Sequence, residues 1–192
     1  MASTTSFFSR KELDEIGFAS VGKNVHLSRK ASIYGAENIT IGNNVRIDDF
    51  CILSGLIELR DYIHIAAGAF LFAGDVGIEM HDYTCISSRS AVYAITDDYS
   101  GAYMTNSMIP EQYRHVIRGK VVIEEHALIG SGCTILPGVR VGIGSAAGSM
   151  SLIIKDMESF SLYVGIPAKK IKERGAGMIE FAQKFRSSLL NE

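Results

Sequence analysis

The chain has 192 residues, 47% of them apolar and 21% charged, with a formal net charge of −2. That is long enough for one domain with a sizeable core, and the near-neutral balance argues against nucleic acid or an anionic membrane as partner. No apolar run reaches the ~18 residues that suggest a membrane span, so no membrane insertion is expected. MASTTSFFSR lacks the basic and apolar regions of a secretory leader. Three cysteines (Cys51, Cys85 and Cys133) without metal spacing are expected as reduced core thiols of a cytoplasmic protein.

In chain order, residues 9–16 (SRKELDEI) open on Ser9 with Glu12 three places later. That pattern is a capping box and predicts a short helix. A branched residue then recurs every six positions, weakly at Val21, Leu27 and Ile33, and clearly after a two-residue reset at Ile41, Ile47 and Leu53. Leu59, Ile65 and Leu71 continue the series, and a three-residue slip at 77–79 moves it to Met80, Ile86 and Val92. It stops after Thr96 and resumes at Ile123, Ile129, Ile135, Val141, Ala147 and Ile153, with Gly130, Gly142 and Gly148 one place after the mark. A period of six fits neither a helix at 3.6 nor a strand at 2. It fits a coil of triangular cross-section, with branched side chains inside and small residues at the bends, which is a parallel β-helix. We read six coils: 21–38, 41–58, 59–76, 80–97, 123–140 and 141–158. At about 4.8 Å between strands the stack is expected to be roughly 29 Å tall.

Residues 98–120 (DYSGAYMTNSMIPEQYRHVIRGK) interrupt the coils. A loop of that length is usually functional, and its Tyr, Arg, Asn and His side chains suit a polar ligand. The tail carries SLYVGIPAKKIKER and then a predicted helix over residues 177–190, with one apolar face. The simplest role for that helix is to cap the open end of the stack, where pairing edges are exposed. The whole reads as a single domain: an N-terminal helical segment 1–20, coils 21–158 and a tail 159–192.

The run IGSGCTILPGVRVGIGSAAGSMSLIIKD, the loop, and the later GIPAKKIK together resemble the hexapeptide-repeat acyltransferases over roughly residues 21–174. The pattern is similar to galactoside-type sugar acetyltransferases, and ITDDYSG at the loop junction is similar to acyltransferases of surface-polysaccharide biosynthesis. The resemblance implies an all-β, left-handed parallel β-helix in a homotrimer. It also implies acetyl transfer from acetyl-CoA to a hydroxyl or amine of a sugar or nucleotide-sugar, without a metal. By position it implies coenzyme A contacts at Ser131, Ser149, Ile154, Lys155, Lys169 and Lys172, the lysines meeting phosphates. Two features depart from the galactoside pattern. The segment before the coils is shorter, and Asp97 and Asp98 stand where those enzymes place a catalytic histidine.

Acyl transfer needs a base, donors for the tetrahedral oxyanion and a channel for pantetheine. His64 ends its hexapeptide, so the triangular cross-section points it outward in a ladder with His26, Arg46 and Cys85, one coil below the coil feeding the loop. An imidazole titrating near about 6.5 suits a base at neutral pH. His64 and Asp98 are the catalytic candidates, facing one another across a subunit cleft. Asp97, Tyr99 and His115 are the candidates for acceptor binding. Two other classes stay open. A metal-dependent hydratase on the same coil would need three converging histidines, two of them five residues apart, and no pair has that spacing. A non-catalytic coil that binds a sugar or acts as a scaffold is allowed by the missing junction histidine, while the GIPAKKIK tail argues against it.

Overall fold

A computed structural model describes residues 6–189. Residues 1–5 of the leader reading, and Leu190 at the expected helix end, lie outside the described residues. Short parallel strands stack into three faces of a triangular prism, the left-handed parallel β-helix implied above. The first face runs through His26–Leu27, Arg46–Ile47, His64–Ile65, Cys85–Ile86, Leu128–Ile129, Ala146–Ala147 and Ser161–Val164. The second runs through Ser32–Tyr34, the starts of Ile52–Leu59 and Phe70–Met80, then Ala91–Tyr93, Thr134–Ile135 and Leu152–Ile153. The third runs through Ser20–Val21, Ile39–Ile41, the ends of those two long strands, Val121–Ile123 and Arg140–Val141, and a bridge to Met157.

Registers pair the six-residue marks with one another. Leu27, Ile47, Ile65, Ile86, Ile129, Ala147 and Tyr163 form one column, and Val21, Ile41, Leu59, Met80, Ile123 and Val141 another. From Ile41 to Ile153 these marks are at most 2% exposed, so each large side chain contributes on the order of 1.5–3 kcal/mol by leaving water. The reset before Ile41 is a turn of 3₁₀ helix at Ala36–Asn38. The slip before Met80 is absorbed where Phe70–Met80 crosses from the second face to the third. Gly55 and Gly74 meet there, and a Cβ on Gly55 (φ 92°) would sit 2.4 Å from the Gly74 carbonyl oxygen.

The edge between the third and first faces carries Tyr62, Tyr83 and His126 at φ near +60° (59°, 62° and 61°). Bulky residues seldom adopt that conformation. Here the rings stack, Tyr62 on Tyr83 at 5.1 Å and Tyr83 on His126 at 4.9 Å, which offsets part of the strain.

Helix α1 (Arg10–Ile16) has the expected capping box, with Ser9 and Glu12 bonded reciprocally, and buries Leu13 against the first coil. Helix α2 (Gly177–Leu189) does not cover the open end as expected. Arg174 donates to the carbonyls of His126, Gly144 and Ser145, turning the chain back along the prism edge. Phe185 then meets Tyr62 and Tyr83 edge-on, and Arg186 donates to the Tyr83 hydroxyl. The helix packs on the aromatic column, where Phe185 and Arg186 both find partners. At the end, Lys169–Glu173 pairs antiparallel with Ser161–Val164 and occupies the free sheet edge.

Candidate active site

The interrupting segment leaves the stack at the edge between the second and third faces. It starts earlier than expected. Ile95–Asp97 pairs antiparallel with Val116–Arg118, and the Gly119 amide donates to the Ala94 carbonyl at 2.9 Å. Asp97 therefore belongs to the loop's stem, opposite Val116, rather than ending a hexapeptide. The stem borders an open surface cavity of about 540 Å³ lined by Phe72, Tyr93, Asp97, Asn106, Ser107 and Arg114, among others. Phe72 and Tyr93 each follow an inward mark and are paired by register, so both point outward. Their rings stack at 5.2 Å and 23° to make an aromatic wall.

Asp98 stands half-buried at the head of the stem. Its amide donates to the His115 carbonyl at 3.2 Å, and its carboxylate accepts from the Ser100 hydroxyl at 2.5 Å and the Ser100 amide at 3.1 Å. Those bonds hold the Asp98 carboxyl below its ordinary pKa. His115 is exposed, with its ring 5.2 Å from that of Tyr103, while Tyr99 is 88% exposed. The loop thus gathers Asp97, Asp98 and His115 and leaves Tyr99 in solvent.

His64 lies elsewhere in the chain, outward on the first face, in the expected ladder with His26, Arg46 and Cys85. Its Nε2 is 2.8 Å from the Asp48 carboxylate, which also accepts from Arg46 Nε at 2.7 Å. Burial opposes ionisation of Asp48, yet the bonds from His64 and Arg46 hold its carboxyl below the usual value. Asp48 is a partner that the sequence reading missed. The signal was present: it follows the inward Ile47, and Ile47 is paired to Ile65 beside His64. Within one chain His64 and Asp98 occupy different parts of the prism.

The residues assigned to coenzyme A lie at the C-terminal end. Ser131 and Ser149 are exposed on the edge between the first and second faces, in successive coils. The coils approach closely there, since a Cβ on Gly130 would be 2.6 Å from the Ser149 nitrogen. The turn at Gly165 folds over the second face, the Leu152 amide donating to the Gly165 carbonyl at 3.0 Å and the Ala168 amide to that of Leu152 at 2.8 Å. This brings Lys169 toward Ile154, itself 43% exposed.

A bulge sets the lysine directions. Val164 faces Lys169 and Tyr163 faces Lys170, but Leu162 faces Lys172, with Ile171 as the extra residue. Lys169 and Lys172, three apart, therefore share the outer side with Val164 and Leu162. Lys170 is on the other side, paired with Glu158 at 2.6 Å and Glu173 at 2.7 Å. Among the described residues Lys155, Lys169 and Lys172 have no ion pair, so their charges are open to phosphate. Also among the described residues, no group of three His, Cys, Asp or Glu side chains could hold a metal ion.

No protein-family model matches the chain. It is 43% identical over 190 residues to a dTDP-4-amino-4,6-dideoxy-D-glucose acyltransferase of Escherichia coli, covering 97% of this chain and 98% of that protein. A putative lipopolysaccharide-biosynthesis O-acetyltransferase of E. coli K12, WbbJ, is 29% identical over 77% of this chain and 75% of its own length. Among solved structures, AntD, an N-acyltransferase from Bacillus cereus, superposes with a TM-score of 0.95 at 48% identity, covering 97% of this chain and all of that one. It was solved as a variant with dTDP-4-amino-4,6-dideoxyglucose and coenzyme A, and also with dTDP and 3-hydroxybutyryl-CoA. Stacked coils, an interrupting loop that holds a cavity, and likeness across nearly the whole length agree: this chain belongs to the hexapeptide-repeat acyltransferases, and within them to the sugar O- and N-acyltransferases that draw their acyl group from a coenzyme A thioester.

Proposed function

We propose that this enzyme transfers an acyl group, acetyl in the first instance, from coenzyme A to the amino group of a dTDP-linked 4-amino-4,6-dideoxyhexose. Surface-polysaccharide biosynthesis in the cytoplasm is the setting. The observation that carries the reading is the extent of the likeness. Stack, loop and tail together match a structure solved in complex with that amino sugar and coenzyme A.

The donor lies along the edge marked by Ser131, Ser149 and Ile154, with Lys155, Lys169 and Lys172 meeting its phosphates. The acceptor enters the loop cavity past Asp97, His115 and Tyr99, and its nitrogen stops beside Asp98. An ionised carboxylate there accepts a hydrogen bond from the incoming amine and orients its lone pair. Nitrogen attacks the thioester carbonyl, the C–S bond breaks, and the amine's proton leaves with the coenzyme as its thiol. His64 of a neighbouring protomer in a homotrimer, its ring oriented by Asp48, relays that proton.

The test is direct. Purified protein given acetyl-CoA and the dTDP-amino sugar forms the N-acetyl amide, read by mass spectrometry, and releases free coenzyme A thiol in equal amount. Asp98→Asn lowers kcat about 10²- to 10⁴-fold with unchanged thermal unfolding. Turnover of a hydroxyl sugar but not of the amine would refute the assignment of acceptor. Mixing His64→Ala with Asp98→Ala chains restores activity if the site spans two protomers, and fails to do so if it does not.

A further inference from the structure

Arg114 lines the loop cavity, yet its Nε is shut off from solvent without a hydrogen-bond partner among the described residues. No other bond or ion pair of its guanidinium is formed among those residues. Its neighbour on the same arm, Arg118, is by contrast tied to Asp75 and to the Val116 carbonyl. A guanidinium has five donors, stays charged at any working pH, and is expensive to enclose without an acceptor. Asp97 shares the cavity but does not pair with it. Facing these groups is the stacked pair of Phe72 and Tyr93, a flat apolar wall. One cation without a partner and one aromatic wall, in a single cavity, match a molecule that carries an anion next to a planar ring.

We propose that Arg114 is the specificity-determining residue for the acceptor's nucleotide. Its fork takes a phosphate oxygen pair of a nucleoside diphosphate, while Phe72 and Tyr93 pack the base or the apolar sugar face. The proposal rests on the acyltransferase reading for its place in turnover, but the binding claim stands apart from catalysis. Planar bidentate pairing favours Arg over Lys, because a lysine offers a point charge and no fork. The enzyme thereby selects a nucleotide-linked sugar over the free sugar without using the carboxylates beside the reacting nitrogen.

Calorimetric titration with dTDP alone tests this on the intact protein. Arg114→Gln weakens dTDP binding roughly 10- to 100-fold, the range for hydrogen bonds to a charged group. Arg114→Lys recovers part of the loss, and both variants keep wild-type thermal unfolding and acetyl-CoA binding. In turnover, Arg114→Gln raises KM for the nucleotide-sugar with little change in kcat, and leaves KM for the free amino sugar unchanged. Equal dTDP affinity in wild type and Arg114→Gln overturns the proposal, as does a fall in kcat at constant KM. Wild-type turnover of a free amino sugar without any dTDP binding also overturns it, while sparing the transferase reading. Arg114-dependent dTDP binding without acyl transfer would do the reverse.

Discussion

The coil stack and the excursion after Ala94 are built on opposite terms. In the stack, about two residues in six are buried, the mark and the residue two places before it (Ile39 and Ile41, Val45 and Ile47, Ile63 and Ile65, Cys133 and Ile135), and the marks from Ile41 to Ile153 are at most 2% exposed. Each coil rests on its neighbours, so geometry is set by repetition. In residues 98–115 no residue is buried, and the segment is held by single bonds such as those from the Ser100 hydroxyl to the Asp98 carboxylate and from the Asp98 amide to the His115 carbonyl. The stack stores stability and leaves its outer surface free to vary. The excursion gathers uneven chemistry, an aspartate pair and an arginine without a partner, over a wall that the stack supplies. Irregular chemistry gathers where the repeat fails, and the repeat makes that failure tolerable.

The sharpest way to break this contrast is in the core. Ile129→Ala removes a side chain with no exposed surface from the first-face column, and we expect a loss of about 2–5 kcal/mol in denaturant unfolding. A loss under about 1 kcal/mol would mean that the columns do not carry the stability.

Next in size is the charge cluster on the third face. Glu79 accepts from Lys120 and His81 at 2.7 Å each and from Arg60 at 2.8 Å. The bond from Lys120 dominates and, against burial, holds its carboxyl at about 2 instead of 4.5. A depressed carboxylate stabilises the fold above its unfolded pKa, and that contribution fades as pH falls from about 4.5 toward about 2. Glu79→Gln should therefore destabilise by about 1–2 kcal/mol at pH 7, allowing for its half-exposed partners. The gap from wild type should close in acid, and a gap independent of pH would dismiss the ion cluster as its source.

The smallest effect is expected at the tail. Lys172→Ala should weaken acetyl-CoA about 2- to 5-fold by calorimetry, the scale of an exposed ion pair. Lys170→Ala should leave it unchanged, because that lysine is turned to Glu158 and Glu173. Equal weakening by both would remove the role assigned to the bulge at Ile171.

The difference in legibility follows the same line. A hexapeptide writes its own face, so Ile41 through Ile153 could be placed inside before any coordinates, and Ser9 with Glu12 announced their own helix start. Phe72 and Tyr93 were within reach as well, since each follows an inward mark and adjacent coils keep register. Arg114 was not legible. It lies in a segment without a period, and that its Nε lacks a partner is a property of what surrounds it.

By itself the sequence determined the period, the inward columns, the loop's position and the family whose pattern these share, because each depends on residues close together in the chain. Tertiary structure alone decided that Asp48 holds His64, that Asp97 belongs to a stem, and that α2 runs along an aromatic edge. It alone decided that a bulge turns Lys172 to the side of Lys169. Each of those outcomes depends on which residues a neighbouring coil or strand brings alongside, and a short local pattern carries no record of that.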